Sequence, residues 1–256
     1  MSRIKNLFIQ NKNNLLSIYF TAGYPNVNDT LKIIKNLIDA GVDMIEIGFP
    51  FSDPLADGPV IQQSSSKAIE NGMTLKVLFE QLKNIRKITE MPIILMGYMN
   101  PVLQYGEEAF FKKCNEIGID GVIIPDMPLD YFESKLAPVI AENQIENILL
   151  ITPETSEERI RNIDQLSKGF VYMVSSNSIT GGNVSMSSQT SYFERINSMN
   201  LKNPTVIGFG IRDHQTFENA CKYSSGAIIG TAFIEHITKN GIEKESINAF
   251  INTIRK

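Results

Sequence analysis

The chain has 256 residues, 43% of them hydrophobic and 20% charged, and its 24 basic and 28 acidic side chains leave a net charge of −4. That balance suits a globular protein with a sizeable core and offers no basic excess for a nucleic-acid or membrane surface. Two cysteines (Cys114, Cys221) and two histidines (His214, His236) stand far apart, which argues against a disulfide scaffold, a zinc site or a histidine-based triad.

The N-terminal stretch "MSRIKNLFIQNKNN" has no long apolar run and no small-residue cleavage site. No segment of the chain approaches the ~18 apolar residues of a membrane span, so a cytoplasmic location is expected. From there, short apolar runs alternate with helical patterns. The expected strands are 15–20 (LLSIYF), 44–49 (MIEIGF), 92–98 (PIILMGY), 121–125 (GVIIP), 147–151 (NILLI), 170–174 (FVYMV), 205–210 (TVIGFG) and 226–230 (GAIIG). Between the first two, "NDTLKIIKNLIDA" places Leu31, Ile34, Leu37 and Ile38 at helical spacing, with Asn28 as the expected N-cap. "SEERIRNIDQL" and "EKESINAFINTIR" repeat the pattern later. Cys114 and Cys221 both fall in helical patterns and are expected to be buried.

Ile- and Val-rich strands with little alternation, separated by helices, indicate a parallel sheet covered on its outside. About eight such units in ~250 residues favour the α/β class and a closed (β/α)8 barrel of the TIM type. One domain over 1–256, with an extra N-terminal helix, is expected; no linker or composition shift marks a second. The junctions "DAGVDMIEIG" and "EIGIDGVIIP" share a glycine (Gly41, Gly118), an aspartate (Asp43, Asp120) and then a strand, as one repeated unit would.

Active sites of such barrels lie at the C-terminal strand ends. If Ile45, Ile47 and Phe49 face the helices, alternation turns Met44, Glu46 and Gly48 inward. No other expected strand contains a Lys or Arg to pair with Glu46. An unpaired carboxyl there is desolvated and its pKa rises toward the range useful for acid–base work. Asp57, on the loop that follows, can return a second carboxylate over the same pocket. Asp53 lies on that loop too, where a turn or an interface contact explains it equally well. The glycine-rich exits "GFGIRD" (208–213) and "GTAFIEHI" (230–237) follow the seventh and eighth strands, where barrels hold phosphate. "SSNSITGGN" (175–183) reads either as a lid hinged at Gly181-Gly182 or as an ordinary loop. Phe20, Met96, Tyr98 and Tyr172, with Phe209, are expected to ring Glu46 and line a pocket for a flat aromatic ligand.

Taken together, "YFTAGYP" (19–25), "IEIGFPFSDPLADGPVIQ" (45–62), "MGYMNPVLQYG" (96–106), "IPDMP" (124–128), "ITGG" (179–182), "GFGI" (208–211) and "GTAF" (230–233) resemble the tryptophan synthase alpha chain family over nearly the whole length. The resemblance implies retro-aldol cleavage of indole-3-glycerol phosphate to indole and glyceraldehyde 3-phosphate, with no metal or organic cofactor on this chain. It makes Glu46 and Asp57 catalytic. Phe20, Met96, Tyr98, Ile123, Pro125, Ile151, Tyr172 and Phe209 match indole-pocket positions. Gly181, Gly210, Gly230 and Thr231 match phosphate positions, and Thr180 matches the lid threonine. A pyridoxal-phosphate beta subunit is the implied partner in an αββα heterotetramer, facing Pro50, Phe51, Asp53, Asn100, Pro101 and Gln104. The lid departs from the family pattern at Ser178 and Asn183. A stand-alone lyase that releases free indole and a catalytically silent regulatory subunit are the rival readings; intact Glu46, Asp57 and Thr180 argue against the second. A phosphosugar isomerase barrel would share the phosphate loops but not the long segment 45–62.

Overall fold

The computed structural model describes residues 2–10, 13–175 and 186–256, except for the side chains of 186–189. Eight parallel strands close into a barrel in sequence order. They are β1 (Leu15–Thr21), β2 (Met44–Gly48), β3 (Ile93–Met96), β4 (Gly121–Ile123), β5 (Glu146–Ile151), β6 (Val171–Val174), β7 (Thr205–Gly208) and β8 (Gly226–Ile229). All eight expected strands are present, most trimmed at their ends. β1 pairs with both β2 and β8, which closes the ring.

Alternation sorts the strand side chains into two layers. Ile18, Ile45, Ile47, Leu95, Val122, Met173 and Ile207 pack outward against helical residues such as Ile33, Phe79, Phe110 and Ile160. Met44, Ile94, Met96, Ile123, Ile148, Tyr172, Val206 and Ile228 fill the barrel. Each fully buried aliphatic side chain contributes about 1.5–3 kcal/mol, so both layers hold the sheet in a single register.

Two expectations about local structure need correction. The helix Thr30–Asp39 starts one residue late, with Asp29 rather than Asn28 at the N-cap position. The Asp29 carboxylate does not cap the helix; it accepts from the Asn26 N–H and side-chain amide, closing the preceding turn. Cys114 is buried, but Cys221 is only half-buried at the end of the helix His214–Cys221.

The repeated aspartates do one job twice. Asp43, just before β2, accepts from the Leu16 N–H of β1 at 2.8 Å. Asp120, just before β4, accepts from the Ile93 N–H of β3 at 2.8 Å and pairs with Arg86 at 2.5 Å. Each clamps the start of its strand to the start of the preceding one, satisfying a donor that the ladder leaves free. The opposite end of the barrel is left to the loops that carry the site.

Candidate functional site

Glu46 is fully buried at the centre of β2, opposite Tyr19 on β1 and Ile94 on β3. Ser17 donates its hydroxyl to one carboxyl oxygen of Glu46 at 3.0 Å; the other oxygen has no partner among the described residues. Burial pushes the group up to about 8, with the Ser17 hydrogen bond opposing the shift. At neutral pH Glu46 is therefore largely a carboxylic acid, with a proton to give.

Asp57 reaches the same region from the β2 loop. Its N–H donates to the Pro54 carbonyl at 3.0 Å, and the Gln62 side chain donates to its carbonyl at 2.8 Å. These bonds fasten the loop to the helix Pro59–Glu70, which opens on a proline at its first position. Tyr98 accepts from the Ala56 N–H and donates its hydroxyl to the Asp57 carboxylate, both at 3.0 Å. Burial raises Asp57 to about 6, and the Tyr98 hydrogen bond holds it from going higher. Asp57 is thus mostly ionised at pH 7 while Glu46 is mostly not, a division of charge state between two carboxyls.

A cavity of about 180 Å³ opens between Asp57 and the loops after β7 and β8, lined also by Tyr19, the β1 neighbour of the buried Glu46. One water needs roughly 10–15 Å³, so this is room for a ligand. Tyr19, Met96, Tyr172 and Phe209 line its apolar wall along with Ile61 and Ile228, and Asp57 stands at its edge. The Tyr172 and Phe209 rings meet edge to face at 6.2 Å. Phe209 sits in left-handed backbone (φ 68), a conformation that costs a non-glycine residue about 1–3 kcal/mol. The Ser175 hydroxyl pins its carbonyl at 2.5 Å. Tyr98 and Pro125 line a narrower recess that joins Asp57 and Met96. Ile123 lies in the barrel interior below.

The far end of the cavity is formed by Gly210, Gly230 and Thr231. Gly230 precedes the helix Thr231–Asn240 and supplies no side-chain cap. The first N–H groups of that helix are left for a ligand, and its dipole favours an anion.

Two residues expected in the pocket face the other way. Phe20 and Ile151 belong to the outer layer, packed against the helices. Their neighbours Tyr19 and Leu150 point inward instead. For β1 the signal was available: Ser17, Tyr19 and Thr21 share one parity, and Ser17 touches Glu46. Gly181, Thr180, Ser178 and Asn183 lie outside the described residues. Tyr19, Ser17, Tyr98 as the Asp57 partner, and Gln62 are the additions.

Tyr19 and Tyr172 occupy equivalent places. A Cβ at Gly48 would fall 2.2 Å from the Tyr19 hydroxyl, and one at Gly208 would fall 2.0 Å from that of Tyr172. Each ring thus leans across the inward glycine of the next strand. Burial raises both phenols, and the nearby Asp57 and Glu46 charges add to the shift. Both hydroxyls therefore stay protonated.

Pro50, Phe51 and Asp53 on the β2 loop, and Asn100, Pro101 and Gln104 on the helix Met99–Tyr105, are exposed or half-exposed. The Phe51 ring lies 5.3 Å from that of Tyr98, which joins the two segments. Leu55 and Leu103 are 78% and 49% exposed on the same two segments. Asp53 accepts from Ser52 and stays on this outer side, away from the cavity. His214 and His236 contact the carbonyls of Ile254 and Ser246, and neither lines the cavity. Among the described residues, no three His, Cys, Asp or Glu side chains are placed to hold a metal, and no helix is long and apolar enough to cross a membrane.

Fold and site together define a (β/α)8 barrel with two carboxyls of different charge state near an apolar cavity that ends at a helix N-terminus. Comparison with known proteins narrows this. The family model described as tryptophan synthase alpha chain matches residues 4–255. A tryptophan synthase alpha chain from Flavobacterium psychrophilum is 57% identical over 99% of this chain and 100% of its own length. One from Christiangramia forsetii is 55% identical over 100% and 99%. The crystal structure of tryptophan synthase subunit alpha from Legionella pneumophila superposes with a TM-score of 0.90 at 30% identity, covering 100% of this chain and 97% of that one. The chain belongs to the tryptophan synthase alpha chain family.

Proposed function

We propose that this chain cleaves indole-3-glycerol phosphate to indole and glyceraldehyde 3-phosphate by a retro-aldol reaction. The observation that carries the reading is the pair of carboxyls: Glu46 buried on β2 beside Tyr19, and Asp57 held by Tyr98 at a cavity that ends in an anion seat.

The reaction needs a proton placed on indole C3, a positive charge tolerated on the ring, and a proton taken from the glycerol hydroxyl beside the breaking bond. Glu46, protonated at neutrality, supplies the first. Asp57, ionised, accepts the indole N–H and offsets the ring charge. The deprotonated Glu46 then takes the hydroxyl proton. As the carbonyl forms, the C–C bond breaks and its electron pair returns to the ring, restoring aromaticity. Glu46 ends as it began, so no net proton is consumed and no cofactor is needed on this chain. Tyr19, Met96, Tyr172 and Phe209 supply the apolar wall for the indole, with Tyr98 and Pro125 in the adjoining recess. The seat at Gly210, Gly230 and Thr231 takes the phosphate.

The exposed apolar side chains Leu55 and Leu103, with Pro50, Phe51, Asp53, Asn100, Pro101 and Gln104, form the face for a pyridoxal-phosphate beta subunit. That subunit receives the indole in an αββα complex.

The test is indole release from indole-3-glycerol phosphate, with and without a beta subunit. Wild type is expected to turn over, faster in the complex. Glu46→Gln and Asp57→Asn are each expected to lose at least about 100-fold in kcat with unchanged circular dichroism. Near-normal turnover in Glu46→Gln would sink the mechanism.

A further inference from the structure

The anion seat also has side chains that neither the motifs nor the family reading assigns. Arg212 and Glu235 line the same cavity as Gly210, Gly230 and Thr231. Arg212 follows β7 by four residues; Glu235 sits one turn into the helix Thr231–Asn240. Among the described residues that line the cavity, Arg212 is the one cation, and Asp57 and Glu235 are the anions. The Arg212 main chain is fixed, its N–H donating to the Thr216 hydroxyl at 3.0 Å inside the capping turn of Asp213. Its guanidinium makes no ion pair with a described residue.

We propose that Arg212 is the cation that receives the substrate's phosphate and that Glu235 is the opposing charge that limits its pull. The inference rests on the reading of this cavity as a phosphate-bearing substrate's site. A phosphate brought near two carboxylates is repelled by both, and backbone N–H groups offset only part of that. A guanidinium matches two phosphate oxygens at once, which a helix terminus alone cannot do. Arg212 is anchored by its backbone, and its guanidinium, near the charge of Asp213 but in no ion pair with a described residue, can swing onto an arriving anion. Glu235, projecting from the helix whose N-terminus makes the seat, keeps the net field at the mouth low. Release of the phosphorylated product is faster for it.

The probes are glycerol 3-phosphate and inorganic phosphate, with binding to the full chain measured by calorimetry at two ionic strengths. Arg212→Ala is expected to weaken glycerol 3-phosphate about tenfold, Arg212→Lys to recover part of that, and Glu235→Gln to tighten it about two- to threefold. Lys239→Ala, a charge removed from the solvent end of the same helix, is expected to change nothing. In turnover, Arg212→Ala raises KM with kcat nearly unchanged, the pattern of uniform binding lost. Opposite signs for the two variants cannot come from a merely structural role. Arg212→Ala within twofold of wild type, Glu235→Gln binding more weakly, or Lys239→Ala matching Arg212→Ala would each overturn the assignment. Failure of wild type to bind either probe would instead overturn the phosphate reading of the cavity.

Discussion

Glu46 and Asp57 carry the same functional group, and the protein holds it in two charge states by burial and partner. Glu46 has one hydroxyl donor and an oxygen unpaired among the described residues; Asp57 has a phenol donor and lines the cavity. The cost of this arrangement shows in stability. Between the ordinary carboxylate range and about 8, folded Glu46 keeps a proton that the unfolded chain has released. The folded state binds more protons there, so the Glu46 contribution falls as pH rises through that window and is flat above it. Glu46→Gln removes the titration while keeping the shape. Measured by urea unfolding, the variant is expected to gain stability relative to wild type by a few kcal/mol between pH 5 and pH 9. A difference independent of pH would show that Glu46 does not hold its proton in the fold. In catalysis the same two values predict a rate that rises through about 6, as Asp57 ionises, and falls through about 8, as Glu46 loses its proton.

At the scale of the strand, the phase of alternation decides which side chains meet the substrate, and the sequence marks that phase unevenly. β2 carries Glu46, a polar marker that fixes which face is inward. β5 ends in three apolar residues, Leu149, Leu150 and Ile151, with nothing to tell their faces apart, so a choice there rests on resemblance alone and Ile151 lands outside. β1 did carry markers in Ser17 and Thr21; the adjacent aromatics Tyr19 and Phe20 masked them. The glycines complete the pattern. Gly48 and Gly208 leave room for the tyrosines of the preceding strands, a pairing invisible until the register is known. Gly48→Ala places a methyl against the Tyr19 hydroxyl and ring, and overpacking of that kind costs about 1–3 kcal/mol. Tyr19→Ala alone opens a cavity. In the double variant the clash is gone, so its destabilisation should be at least about 1 kcal/mol smaller than the two single effects together. Strict additivity in thermal unfolding would show that the ring does not lie over Gly48.

For the molecule as a whole, function and stability sit at opposite ends of the barrel, the division expected of this fold. The number of strands and the location of the acids were legible because parallel strands are apolar runs and a lone carboxylate stands out in one. The device that closes the other end was legible only as a helix. In the structure, the helix Arg3–Gln10 plugs the barrel bottom: Ile4 is fully buried in the interior layer, and the Phe8 ring lies 5.8 Å from that of Phe170. Arg3 reaches Glu90 at 2.7 Å and Asp120 at 3.2 Å, and the Ser2 hydroxyl bonds to the half-satisfied, buried Glu146. The helix has eight residues, too few to be stable alone. Packing and these charge pairs therefore hold it, and loosening it exposes the interior layer around Ile4 and Phe170 while leaving the loops above untouched. Ile4→Ala is expected to cost about 2–4 kcal/mol and to lower the melting temperature by roughly 5 °C or more. Indole release well below that temperature should keep the wild-type kcat and KM. A fall in kcat at temperatures where circular dichroism reports an intact fold would mean that the barrel transmits the state of its base to Glu46, contrary to the separation argued here.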